Sequence, residues 1–242
     1  MVHYHGKFYT FNNKHPEKNS EHLFYESICK DCNVIFDVGC RTDSIYLDFT
    51  GEVHYFDPDS NFIKNIKTIK NSNKSAYFNE FGLSKITEIK NYYPAKQSFT
   101  WKVGNPIKLP LKKGSEYVIE KNIKTIDFLK IDTEGSEFDI IKGFGNFLNN
   151  IKIIQFEYGG TYVFNNVKLN DVINYLKNYN FNRFSYLSPT GPIPIQMCDP
   201  IEANSSPESL ALTKSKIVSI KNDIIPDHYN LCNIVCFNKY YF

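Results

Sequence analysis

The sequence has no excess of charge of one sign, no long apolar run and no complete glycine-rich phosphate loop, and each absence closes a class of function. The 28 Lys and Arg against 26 Asp and Glu leave a net charge of +2, too little to make nucleic acid the main partner. No stretch approaches the roughly 20 apolar residues of a membrane-spanning helix, and the N-terminus lacks a secretory signal pattern. A soluble, cytoplasmic protein is therefore expected, whether of a producing or a host cell. Internal repeats and low-complexity tracts are absent. The six histidines include no i, i+4 pair of the kind that builds a helical metal site, so His3, His5, His15 and His22 receive no role.

Cysteine is present but in the wrong pattern for zinc. Cys29 and Cys32 are close in sequence, and so are Cys232 and Cys236. The second pair lies in LCNIVCF, which reads as a strand, and four residues of strand span about 13 Å. Ligands of one zinc each lie about 2.3 Å from it, so this pair cannot share an ion without a bend. Buried, reduced thiols are the expectation, and no metal ligand is assigned.

With 42% hydrophobic and 22% charged residues over 242 positions, the chain has the make-up of one folded α/β domain. Its centre is Phe128–Gly135, FLKIDTEG. The mainly apolar run Ile126–Ile131 ends in Asp132, Glu134 and a glycine, as a buried parallel strand does when it surfaces at the carboxyl edge of a sheet. Lys130 is expected to bury its stem and keep its ammonium in water. A helix over 136–148 should follow, with Ser136 as N-cap.

A second strand, NVIFDVGCR, ends in Asp37 and Gly39. The next, VHYFDPD, closes on Asp57 and Pro58 about twenty residues later. Strand, glycine turn and distal acid suit a nucleoside, the glycine admitting the ligand to the backbone and the acid accepting from ribose hydroxyls. The bland alternative is that Asp37 and Asp57 only cap helices. Helices are expected over 20–30, 59–71, 117–122 and 169–179, and strands over 76–78, 151–158, 181–187 and 231–237. Residues 1–19 read as an irregular arm, and 86–118 as a hairpin excursion with loop. Residues 188–228, rich in proline and serine, read as a long loop suited to a lid.

Strands alternating with helices imply a doubly wound sheet. The segments FDVGC, YFDPD, NEFGLS, FLKIDTEGSE and the closing NIVCF, in that order, resemble the FkbM-type S-adenosylmethionine-dependent methyltransferases over residues 34–186 plus the last strand. The resemblance implies a Rossmann-like, seven-stranded, mostly parallel sheet with its last strand antiparallel and helices on both faces. It also implies S-adenosylmethionine as cofactor and O-methylation of a sugar, polyketide or other small-molecule or glycan hydroxyl. One domain is expected: arm and helix over 1–33, cofactor-binding core over 34–187, the loop, then a closing strand over 229–242. Neither nucleic acid nor membrane is an expected partner; a homo-oligomer is compatible with the sequence.

Donor contacts are assigned to Asp37, Gly39, Cys40, Arg41, Asp43, Asp57, Pro58, Glu80, Phe81, Gly82 and Asp132. The chain departs from the family where Asp43 replaces a second glycine and Arg41 a small polar residue. An acid there repels a pyrophosphate but suits a donor with an ammonium, for Asp43 or Asp37, and a carboxylate, for Arg41. Methyl transfer needs an aligned, desolvated acceptor and a base. Glu134 or Glu157 is the favoured base and Asp132 the carboxylate nearer the donor; close carboxylates raise one another's pKa and can also orient a diol through a divalent cation. Glu134 as a mere helix cap is the structural alternative. Two other functions compete: a non-catalytic binding module on the same fold, supported by the altered glycine turn, and, least favoured, a nucleotide-sugar or NAD-linked oxidoreductase.

Overall fold

The computed structural model describes residues 2–4, 7–9, 20–69, 75–99, 102–158, 162, 165–188, 191–194 and 232–241. Five strands form a parallel core: β3 (Val34–Val38), β4 (Glu52–Phe56), β5 (Ala76–Asn79), β9 (Ile126–Ile131) and β10 (Ile151–Tyr158). Every residue of β9 is buried, as a strand covered on both faces must be. β13 (Cys232–Asn238) inserts antiparallel between β10 and β11 (Phe181–Ser188). These are the seven expected strands with the last one antiparallel. An eighth, β12 (Gly191–Pro194), adds antiparallel to β11. The full order is β12-β11-β13-β10-β9-β3-β4-β5.

Helices cover both faces. α1 (Ser20–Ile28) and α2 (Ser60–Ile69) set Phe24, Ile28, Ile63 and Ile66 against Ile35, Val53, Phe128 and Ile153. On the other face α3 (Gly114–Glu120), α4 (Glu137–Phe144) and α5 (Leu169–Lys177) pack Tyr117, Ile141, Phe144, Val172 and Ile173 onto Phe36, Leu129 and Ile154. Among the described residues no helix is long and apolar enough to cross a membrane.

Several expectations are corrected. The arm holds a short antiparallel pair, β1 (Val2–Tyr4) and β2 (Lys7–Tyr9). The 86–118 excursion is a three-stranded sheet, because β6 (Gly82–Ser84) pairs parallel to β8 (Ile107–Lys113), which also forms the hairpin with β7 (Glu88–Tyr92). α3 begins three residues before the expected Tyr117. The helix after Gly135 is α4 followed by a tighter 3-10 stretch, Gly145–Asn150. Its break follows Gly143, whose Cβ would meet the Ser84 carbonyl oxygen at 2.1 Å, so α4 lies hard against β6. β11 ends on Ser188 and β12 occupies 191–194 of the expected 188–228 loop; the rest of it lies outside the described residues, as do His5 and His15.

Candidate active site

Sheet order decides where the crevice opens. The chain steps outward from β3 to β4 and β5 on one side and from β9 to β10 on the other, so the strand order reverses between β3 and β9. Loops leaving the carboxyl ends of these two strands diverge there, which makes the gap a ligand site. Asp132 N donates to the Val38 carbonyl at 3.0 Å, tying the two strand ends together. Gly39 has φ +78°, and a Cβ on it would lie 1.8 Å from the Asp132 carbonyl oxygen. No other residue fits, because both the conformation and the contact exclude a side chain. Gly39 N and Cys40 N then donate to the Phe56 carbonyl, hooking the turn onto β4.

The resulting cleft is lined by Gly39, Arg41, Asp57, Pro58, Phe62, Gly82, Tyr92, Gln97, Phe99, Asp132 and Glu134, among others. Asp57 is buried at its base. Its carboxylate accepts from Asp59 N at 2.9 Å and Arg41 N at 3.4 Å, so it braces both loops rather than simply capping α2. Burial pushes its pKa up to about 7, with the two backbone donors opposing. Arg41 keeps φ +45° without being glycine, so the turn forms despite the missing second glycine. That weakens the main support for a non-catalytic module.

Other assigned residues lie elsewhere. Asp43 is exposed and outside the cleft lining; Ser44, next to it, points inward and donates to Asp37 at 2.6 Å. Cys40 is buried among apolar side chains. Glu80 is exposed, and Phe81 turns its ring to Phe56 and Tyr117. Of that segment only Gly82 reaches the cleft. Asp37 is fully buried and caps no helix. Burial raises its pKa, partly offset by Lys130 and Ser44.

Lys130 departs most from expectation. Its ammonium is buried, not wet, and sits 3.5 Å from both Asp37 and Asp132. Burial alone would lower its pKa; the Asp37, Asp132 and Glu21 carboxylates outweigh this and the net shift is upward. It is charged in the folded protein.

Asp132, Glu134 and Glu157 each present a carboxylate oxygen, all within 4.8 Å of one another. Adjacent parallel strands bring Glu157, near the end of β10, beside the exit of β9. Glu157 is pushed up to about 8, by burial first and then by Asp132, Glu134 and Glu137. Glu134 is raised by burial and Asp132. Its backbone holds φ +54°, and its carbonyl accepts from Ser98 Oγ at 2.9 Å. No side chain caps α4 at its N-cap position; Glu137 Oε1 instead braces the loop before it, accepting from Thr133 N at 2.8 Å and Gly135 N at 3.1 Å. Ser136 occupies the N-cap position without a side-chain cap bond. Such an oxygen-rich group also suits a hard divalent cation.

The sequence reading missed Phe62, Tyr92, Gln97 and Phe99. The last three come from the end of β7 and the stretch following it through Phe99, where only the aromatic pair before Pro94 offered a signal. The Tyr92 and Phe99 rings meet at 5.1 Å, tilted by 58°, and wall the cleft. Two Tyr-x-x-x-Lys spacings occur, the pairing an oxidoreductase would use, but neither is placed for it. Tyr92 ends a strand with Lys96 in the next turn, and Tyr117 OH lies 2.7 Å from His54 Nδ1, outside the cleft.

No curated protein matches the chain. Among solved structures, a SAM-dependent O-methyltransferase from Thermotoga maritima matches with 9% identity and a TM-score of 0.41, over 90% of this chain and 64% of that one. The chain thus spans less than two thirds of that protein. The family described as "Methyltransferase FkbM domain" matches residues 37–183, more than half of the sequence and the whole stretch from Asp37 through β11's Arg183. The chain belongs to the FkbM methyltransferase family.

Proposed function

We propose that the protein is an S-adenosylmethionine-dependent O-methyltransferase acting on a hydroxyl of a sugar, glycan or nucleotide-sugar. The observation that carries this reading is the Asp132–Glu134–Glu157 group standing directly beside the Gly39–Asp57 cleft. The donor fits the residues present. Aromatic and aliphatic walls from Phe62, Leu83, Tyr92 and Phe99 suit an adenine, and the Asp57 carboxylate at the base suits a ribose diol. Gly39 leaves the backbone bare where the chain of the donor would pass. When bound, the donor supplies an electrophilic methyl group.

The residues of the protein supply the rest. A sugar hydroxyl is a weak nucleophile at neutral pH, and a base with a pKa near the working pH serves it best. Glu157, at about 8, is the carboxylate best suited to take the proton. Asp132, within ion-pair range of Lys130, faces the donor side. Glu137 holds the Thr133 and Gly135 amides and so fixes the loop that presents Asp132 and Glu134.

The test is transfer of labelled methyl from S-adenosylmethionine to a panel of sugars and glycans, with and without EDTA. Wild type should methylate at least one acceptor. Glu157→Gln should lower the rate roughly 10²- to 10⁴-fold with donor affinity kept. Donor binding without transfer to any acceptor would favour the binding-module reading, and full activity in Glu157→Gln would remove that residue from the mechanism.

A further inference from the structure

The loop that carries Asp132 and Glu134 is held in a conformation it would not keep alone. Glu134 and Gly135 both take positive φ, +54° and +102°, and a residue other than glycine stays in that region only where its surroundings hold it. Three side chains hold this loop. Glu137 Oε1 accepts from Thr133 N and Gly135 N, Asn165 Nδ2 donates to the Gly135 carbonyl at 2.5 Å, and Ser98 Oγ donates to the Glu134 carbonyl at 2.9 Å.

Ser98 differs from the other two in its origin. Glu137 and Asn165 belong to the segments that follow β9 and β10, whereas Ser98 comes from the stretch after β7. Its sequence neighbours Gln97 and Phe99 both line the cleft, and Ser98 itself does not. It is only 1% exposed, and its carbonyl accepts from Tyr93 N at 2.8 Å in a β-bridge. The hydroxyl is thus a buried link between one wall of the cleft and the loop that bears the carboxylates.

Electrostatics works against the placement of Glu134. Its carboxylate is repelled by Asp132 and drawn by Arg41 and Lys96, yet its oxygen lies within 4.8 Å of those of Asp132 and Glu157. Held there, it raises the proton affinity of Glu157, and a base whose pKa lies near the working pH serves best.

We propose that Ser98 is a positioning residue for methyl transfer: its hydroxyl fixes the Glu134 backbone so that the Glu134 carboxylate stands beside Glu157. Without that bond the backbone is free to relax toward negative φ, which turns the carboxylate away from its neighbours. The inference rests on the methyl-donor reading and adds to it a residue that acts only through another.

The experiment is a double-mutant cycle of Ser98→Ala and Glu134→Gln, read by labelled methyl transfer and by calorimetry with S-adenosylhomocysteine. Ser98→Ala should lower kcat about three- to tenfold, the range for one neutral hydrogen bond, with S-adenosylhomocysteine affinity unchanged. In the Glu134→Gln background it should cost nothing further. Hydrogen exchange on the unliganded protein needs no acceptor: amides of residues 133–136 should exchange faster in Ser98→Ala, and those of β9 should not. Unchanged kcat in Ser98→Ala, or an equal loss in both backgrounds, overturns the inference. So does a fall in donor affinity that matches the fall in rate, or unchanged exchange over 133–136. A wild type that binds no S-adenosylhomocysteine, or methylates no acceptor, overturns the methyl-donor reading itself, and the inference with it.

Discussion

The two ends of the parallel sheet both carry buried charge, and they treat it in opposite ways. At the amino end Asp127 and His54 are both matched. Asp127 accepts from Asn33 N at 2.7 Å and Val34 N at 2.8 Å and pairs with Lys152 at 2.6 Å. His54 is held between Tyr117 OH at 2.7 Å and Glu52 at 2.8 Å. At the carboxyl end Gln155 Oε1 and Glu137 Oε2 are buried without hydrogen bonds among the described residues, Asp37 Oδ1 meets Lys130 at 3.5 Å, and Glu21, Asp37 and Asp132 all act on that one lysine. Unpaired buried polar atoms cost stability. A ligand can complete such groups, and the proposed site lies at the end that carries them.

That contrast predicts separable losses. Asp127→Ala should destabilise the protein most, by about 3 kcal/mol or more, because it strands two backbone amides and a lysine at once. Its affinity for S-adenosylhomocysteine should not change, measured by calorimetry on the fraction that stays folded. A large loss of affinity would mean the two ends are coupled.

Asp57→Ala should do the reverse. Binding of S-adenosylhomocysteine should weaken by about 1.5–3 kcal/mol, the range for a hydrogen bond to a charged group, with little change in melting temperature. Because Asp57 titrates at about 7, wild-type affinity should rise as pH increases from 6 to 8, and the variant should lack this rise. Unchanged affinity in Asp57→Ala would remove the ribose assignment.

The smallest effect separates the ends by pH. Glu157, raised from 4.5 to about 8, binds a proton more tightly folded than unfolded. The folded state therefore holds more protons between those values, and stability falls as pH rises through them. His54 is lowered by burial, against the pull of Glu52, so its contribution is lost on acidification below 6.5 instead. Glu157→Gln should flatten only the alkaline limb and raise the melting temperature at pH 8, with no change near pH 5. A steeper alkaline limb in the variant would contradict the upward shift.

Much of this was legible from local pattern. Strands such as IKIIQFEY are apolar on both faces because helices cover both, and Asp and Gly follow them because the chain there meets solvent and turns. Residue by residue, that gave Gly39, Asp57, Asp132 and Glu157 as the carboxyl-edge residues, and the antiparallel last strand through the family resemblance. Boundaries slipped where a partner distant in sequence set them. α4 ends at Phe144, where Gly145 takes φ +52°, and β6 is a strand because β8 lies beside it.

What the sequence by itself determined is the order of elements and the kind of chemistry at each strand end, since periodicity and turn residues act over a few positions. Tertiary structure alone decided which of those ends share charge. Lys130 was read as a solvated lysine, because nothing within its own strand shows that Asp37, 93 positions earlier, lies directly across from it. Glu21 and Gln155 are 134 positions apart and meet at 2.6 Å. Register between strands and the docking of α1 create those neighbours, and electrostatics depends on distance in space, not along the chain.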